Sequence, residues 1–283
     1  MTIDNGFATA LDGGVQLYWE STGAGAPVLL IHGLGLSGGA WWRTVDALSP
    51  TMRVITFDHR GIGRSESAAP AYTTEAMADD AVCILDELGL DAVHVYGISL
   101  GGMVAQQLAL RYPERIRSLV LGATQPGGRR AVRADDDVLE FFRRRVHMGK
   151  REAAWASVEF NYGPRCRAEH PDRIADDIER RLQQPFDAQA YRAQIFAAAL
   201  HNCYARLDGI DVPTLVVHGA QDRVIPVENA HLMAERLPDC RLTVLEDSGH
   251  LYPTEAPDVD AAIGAFFDAC DAAGALPGPM ASD

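Results

Sequence analysis

A serine stands at the centre of the run Val93-His94-Val95-Tyr96-Gly97-Ile98-Ser99-Leu100-Gly101-Gly102. The apolar residues before it read as a strand and those after it, from Leu100 to Tyr112, as a helix ended by Pro113. A serine held in a Gly-x-Ser-x-Gly turn between strand and helix has its hydroxyl raised at the carboxyl edge of a sheet, where it can attack an electrophile. The glycines have a steric reason: in so tight a turn, side chains at Gly97 and Gly101 would meet strand or helix, and Gly102 lets the helix lie close to the sheet. The N-terminus of that helix favours developing negative charge.

A serine hydroxyl is a weak nucleophile until a base takes its proton, and the base needs an orienting carboxylate. The run Thr214-Leu215-Val216-Val217-His218-Gly219-Ala220-Gln221-Asp222 reads as a strand whose end delivers Asp222. Another strand, Leu242–Leu245, is followed by Glu246-Asp247-Ser248-Gly249-His250. These strand-end positions mark Asp222 as the orienting acid and His250 as the base. Glu246 and Asp247 are read as fixing that loop. His59, His94, His147, His170, His201, His218 and His231 lie elsewhere and are read as structural or surface histidines. Ala123-Thr124-Gln125, at the end of an earlier strand, offers no carboxylate. Upstream, Val28-Leu29-Leu30-Ile31-His32-Gly33-Leu34-Gly35 ends a strand in a glycine-rich loop. Its Leu34 N–H, with the Leu100 N–H, would supply two donors for an oxyanion. His32 is expected to hydrogen-bond loop backbone.

The elements that must hold these groups follow from apolar runs. Phe7–Ala10 and Val15–Trp19 flank Asp12-Gly13-Gly14 and read as a hairpin. Val28–Ile31, Val54–Phe57, Val93–Tyr96, Leu119–Leu121, Leu215–Val217 and Leu242–Leu245 are continuous, as in strands covered on both faces. Helical patterns lie between most of them: Met77, Ala81, Leu85 and Leu88 after a Thr74 cap with Gly89 as a stop, then about Val227 to Leu237, and Val259 to Cys270. Alternation of this kind implies a mostly parallel, α/β sheet of eight strands. From about Gln125 to Leu207 no strand-like run occurs, and helical segments take over, with Leu139, Phe142 and Val146 on one face. The division expected is a core of residues 1–124 and 208–273, a helical lid of 125–207, and a disordered tail of 274–283.

Here the sequence resembles the α/β-hydrolase superfamily, in the branch with a helical cap after the sixth strand. The chain order Ser99, Asp222, His250 is that family's order. Asp58-His59-Arg60-Gly61-Ile62-Gly63-Arg64-Ser65 is similar to its D-x-R-G-x-G-x-S loop, which is chiefly structural. The resemblance places Trp42 near the acyl pocket, with core packing as the alternative reading. Ser99 speaks against the haloalkane dehalogenases and epoxide hydrolases of this branch, which carry Asp at that position. Esterases, 3-oxoadipate enol-lactonases, meta-cleavage-product C–C hydrolases and cofactor-free haloperoxidase-like enzymes carry Ser. The phrase Gly97 to Gln106 looks most like the lactonase and esterase groups. The resemblance therefore implies a serine hydrolase cleaving an ester or lactone of a small, largely apolar molecule through an acyl-enzyme. The alternatives are C–C bond hydrolysis or another tailoring reaction, or a non-catalytic small-molecule binder.

Composition bounds the rest. The chain has 283 residues, 47% apolar, with a formal net charge of −14. That balance argues against nucleic acid and anionic membranes as partners. The N-terminus lacks the basic and apolar regions of a signal peptide and no run approaches 18 apolar residues, so a cytoplasmic, non-membrane protein is expected. Five scattered cysteines without a CxxC pair read as reduced thiols, not as a zinc site. No cofactor or metal motif is present, and nothing in the sequence sets an oligomeric state. A basic stretch that includes Arg129, Arg143, Arg144, Arg145, Lys150 and Arg151 is interleaved with Asp135 to Asp137 and Glu140. It reads as a solvated helical face, with an anionic-substrate funnel as the alternative.

Overall fold

The computed structural model describes residues 3–11, 14–67, 72–185 and 187–274. Asp12 and Gly13 of the expected hairpin turn, and residues 275–283 of the expected tail, lie outside the described residues. Eight strands form one sheet: β1 (Ile3–Thr9), β2 (Gln16–Thr22), β3 (Ala26–Ile31), β4 (Met52–Phe57), β5 (Val93–Ile98), β6 (Ile116–Gly122), β7 (Thr214–Gly219) and β8 (Cys240–Leu245). Their order across the sheet is β1-β2-β4-β3-β5-β6-β7-β8. Only β2 runs against its neighbours; β4, β3, β5, β6, β7 and β8 are mutually parallel.

Among the described residues twelve α-helices accompany the strands: α1 (Trp42–Leu48), α2 (Thr74–Glu87), α3 (Leu100–Arg111), α4 (Asp136–Arg145), α5 (Lys150–Ala156), α6 (Val158–Asn161), α7 (Pro164–Glu169), α8 (Pro171–Gln183), α9 (Ala188–Leu200), α10 (Glu228–Ala234), α11 (Tyr252–Glu255) and α12 (Val259–Gly274). None of the described helices is long and apolar enough to cross a membrane. The strand residues explain the layering. In β3, Leu29 and Ile31 face a cluster with Met77 and Ile84 of α2 and Val104 and Leu108 of α3. Val28 and Leu30 face the other side, with Leu48 of α1 and Ile263 and Phe267 of α12. Alternate residues thus serve two cores, and each such buried side chain contributes roughly 2 kcal/mol.

The chain steps from β3 outward to β4, then back across β3 to β5, and proceeds the other way. This reversal opens a crevice at the carboxyl ends of β3 and β5, the place where parallel sheets bind ligands. Two local expectations shift. The α2 cap is Thr73, whose hydroxyl accepts the Ala76 N–H, while Thr74 Oγ1 lies 3.1 Å from His201 Nδ1. Buried Val138 and Phe141 anchor α4, leaving Leu139, Phe142 and Val146 only partly covered. The reason for two of them is that Phe142 and Val146 face cavities.

Helices α4 to α9 leave the sheet after β6 and return before β7 through a narrow neck. Cys203 N–H donates to Pro126 O at 2.7 Å, and Gly128 N–H to His201 O at 3.1 Å. These helices hold a small core of their own, Ala154, Tyr162, Cys166, Ile174 and Ile178, against which Leu251 packs from the loop after β8.

Candidate active site

Strand β5 turns into α3 at Ser99 with φ 57° and ψ −121°, a conformation that side-chain-bearing residues rarely take. Two glycines make it feasible. A Cβ on Gly97 would stand 2.3 Å from Gly101 O, and one on Gly101 would stand 1.9 Å from Ile31 O. The turn is also tied down: Ser99 N–H donates to Gly122 O at 2.9 Å, and Thr124 Oγ1 donates to Ser99 O at 2.7 Å. Ser99 remains partly accessible at the floor of the crevice.

The ends of β7 and β8 bring the two other predicted residues to it. His250 Nε2 lies 3.0 Å from Ser99 Oγ, and His250 Nδ1 lies 2.7 Å from Asp222 Oδ2. A carboxylate only accepts, so Nδ1 carries the hydrogen and Nε2 is left to accept from the Ser99 hydroxyl. Asp222 Oδ1 accepts the Val224 and Ile225 N–H groups at 2.8 and 2.9 Å. His218 Nε2, donating to Ile225 O, lies 3.2 Å from Asp222 Oδ2. Burial pushes the Asp222 carboxyl upward, but the charge of His250 and the bonds from His218 and His250 outweigh it, holding the group down at about 2. The acid therefore stays ionised across the neutral range. A hydroxyl, an imidazole and a carboxylate in one hydrogen-bonded line can pass a proton away from the hydroxyl as it attacks.

Loop residues after β3 close the site. His32 Nδ1 accepts the Gly33 N–H at 2.7 Å, as the sequence suggests, and burial, then His59, Arg181 and His250, lower the ring to about 3. It is a neutral acceptor. Gly35 N–H donates to Gln194 Oε1 of α9 at 2.8 Å, stitching the loop to the inserted helices. Among the described residues neither the Leu34 nor the Leu100 N–H donates a hydrogen bond within the protein. Leu100 is the first residue of α3, where orphan donors are expected.

The fold has known counterparts. The family profile for the alpha/beta hydrolase fold matches residues 26–257. The chain belongs to the α/β-hydrolase family. A protein named "Putative carbamate hydrolase RutD", from Azorhizobium caulinodans, is 32% identical over 87% of this chain and 92% of that protein. A thermophilic esterase from Thermogutta terrifontis superimposes with a TM-score of 0.80 at 30% identity, covering 94% of this chain and 99% of that one. Est816, titled an N-acyl homoserine lactone degrading enzyme, gives 0.77 at 29% identity, over 91% of this chain and 99% of its own. An enol-lactonase from Burkholderia xenovorans shares the fold. This hydrolase falls in the esterase and lactonase-like branch of its family.

The cavity of this α/β hydrolase has two parts. The smaller, about 520 Å³ including space open to solvent, is lined by Ser99, His250, Leu34, Phe142, Arg145 and Arg181. A larger cleft of about 1440 Å³ adjoins it, sharing His32, Ile98, Asn161 and both arginines as walls. Trp42 lines the larger cleft, away from Ser99, between the guanidiniums of Arg43 and Arg180 at 3.9 and 4.0 Å. Its neighbour Trp41 is the one packed beside His32, with ring centroids 4.7 Å apart. Among the described residues no group of three or more His, Cys, Asp or Glu side chains is arranged to hold a metal ion.

Four contributors are not legible in the sequence: His218, which reads as a structural histidine but bonds the Asp222 carboxylate, and three more. Thr124 fastens the Ser99 carbonyl; its strand-end position is visible in the sequence, but its hydrogen bond to that carbonyl is not. Glu255 accepts the Gly249 N–H at 2.8 Å and the Gly163 N–H at 2.7 Å, so one carboxyl binds the His250 loop to the inserted helices. Arg181 lay in no motif.

Proposed function

We propose that this α/β hydrolase is a serine hydrolase that cleaves a carboxylic ester or lactone through an acyl-enzyme on Ser99. The unbroken line Ser99 Oγ, His250 Nε2 and Nδ1, Asp222 Oδ2 carries this reading. Ser99 Oγ attacks the carbonyl carbon while His250 Nε2 takes its proton. The Leu34 and Leu100 N–H groups, both without internal acceptors, hold the resulting oxyanion. Collapse expels the alcohol, protonated by His250, and leaves the acyl group on Ser99. Water, deprotonated by the same imidazole, then attacks, and the acid departs as Ser99 regains its proton. Asp222 keeps the imidazole in the right tautomer and steadies its cation. Helices α4 to α9 serve as the lid, closing the cavity with Phe142 and Asn161.

Hydrolysis of p-nitrophenyl acetate and butyrate by wild type and Ser99→Ala tests this. Turnover is expected to fall roughly 10⁴-fold or more in the variant; wild-type turnover by Ser99→Ala overturns the mechanism. The name of the relative from Azorhizobium caulinodans supports a second reading, a carbamate attacked in the same way, its alcohol expelled and a carbamoyl group left on Ser99 for water to release. Steady turnover of a p-nitrophenyl carbamate faster than that of the acetate would move the assignment there.

A further inference from the structure

In a chain with 39 acidic and 25 basic residues, cations near a cavity should find carboxylates easily. Arg145, in the last turn of α4, and Arg181, in the last turn of α8, do not. Both are only partly exposed, and both wall the small pocket of Ser99 and the larger cleft. Among the described residues neither makes an ion pair with Asp or Glu, and their aromatic neighbours are Phe142 and Tyr191 at 5.8 and 5.3 Å from Arg145. The pocket of Ser99 has no carboxylate in its wall at all. The larger cleft has six cationic side chains, Arg43, Arg145, Lys150, Arg180, Arg181 and Arg192, against the single carboxylate of Asp177, which is already engaged by Arg43 at 3.2 Å.

Favourable placement at helix C-termini is the ordinary reason for such arginines. It accounts for Arg143, Arg144 and Arg180, which are exposed. It does not account for Arg145 and Arg181, which are partly buried and are the two arginines in the wall of the Ser99 pocket, where desolvation opposes what a helix dipole returns. Burial, and then the charge of Arg145, bring Arg181 down to about 10, the mark of a cation short of a counter-charge.

We infer that Arg145 and Arg181 form a carboxylate clamp, and that the substrate is an ester or lactone bearing a second, ionised carboxylate. The inference rests on the ester or lactone reading above. Guanidiniums suit a planar carboxylate because they donate in a rigid fork. With the free carboxylate held there, the scissile carbonyl is left to reach Ser99 in the same pocket.

The test compares monomethyl adipate with methyl hexanoate, equal in chain length and differing in one terminal carboxylate, by acid release in wild type, Ser99→Ala, Arg145→Gln, Arg181→Gln and Arg181→Lys. Wild type is expected to favour the adipate in kcat/KM at least about tenfold, and each Arg→Gln change to cut that preference roughly 10–100-fold, chiefly through KM. Arg181→Lys should restore part of it. Thermal melting gives an independent readout: a clamp strained by its own unpaired charge should melt no lower after Arg181→Gln, whereas a structural arginine would melt lower. A wild-type preference for the neutral ester, or a preference unmoved in both Gln variants, overturns the clamp. If wild type cleaves neither ester, the ester reading fails on its own. Adipate titrated calorimetrically into wild type and the Gln variants then still decides the clamp, which requires weaker binding in the variants.

Discussion

Glu255 is a carboxyl shared by two peptide N–H groups, one on each side of the line between the sheet and the inserted helices. Burial raises it from 4.5 to about 7, against the pull of the Gly163 and Gly249 N–H groups toward the charged form. The folded protein therefore keeps this proton after the unfolded chain has released it. Its contribution to stability is full below about pH 4.5 and is lost as pH rises through about 7. Asp260, raised to about 6 by burial despite its bond from Thr44, acts in the same direction. Glu255→Gln removes only the first of these. Raising the pH from about 5 to about 7.5 should thus lower the urea midpoint of wild type more than that of Glu255→Gln. Equal drops in the two proteins would show that Glu255 is ionised throughout.

At the scale of elements, the contact between α3 and β3 fixes the position of Ser99. The Cβ of Gly101→Ala would fall on the Ile31 carbonyl, and strand β3 is fully buried there and cannot yield. Gly101→Ala is expected to cost more than about 3 kcal/mol, beyond ordinary overpacking of side chains. Gly149→Ala, with nothing within 4 Å of the new Cβ, should stay within about 0.5 kcal/mol. Denaturation midpoints of the pair decide it, and similar values would refute the close approach. This element was legible beforehand, since Gly97, Ser99 and Gly101 announce strand, turn and helix within ten residues. The central strands were legible for a related reason: runs such as Val28–Ile31 are apolar on both faces because both faces are covered, whereas β8 at the sheet edge carries a similar apolar run but is only partly covered. What stayed hidden depends on partners remote in sequence. Glu255 meets Gly163 from 92 residues away, and Thr73 wins the cap because Thr74 is drawn to His201 from 127 residues away. Arg145 and Arg181 were illegible as a pair, because Arg145 sits in a basic run that reads alike whether it faces water or a cavity, and Arg181 lies outside that run.

On the scale of the molecule, the loop after β4 joins the sheet to α2 through a charge pair with almost no contact with solvent. Arg60 and Asp80 are 2% and 1% exposed, and Arg60 donates to both oxygens of Asp80 at 2.7 and 2.5 Å. The same loop carries Asp58, which accepts the Gly38 and Arg64 N–H groups, and His59, whose Nε2 lies 3.1 Å from His32 O. The pair therefore braces the glycine-rich loop that holds Leu34 as well as α2. Desolvating two charges makes such a pair a poor source of net stability, yet breaking it leaves a guanidinium buried without its carboxylate. Asp80→Asn is expected to cost about 3–5 kcal/mol, a large share of the roughly 5–15 kcal/mol that holds a folded protein together. That corresponds to a fall of roughly 10 °C in Tm. Replacing both partners, Arg60→Met with Asp80→Leu, removes the stranded charge and should recover most of the loss. If the double variant melts no higher than Asp80→Asn, the pair is needed for its two mutual hydrogen bonds and not merely tolerated as a neutralised charge.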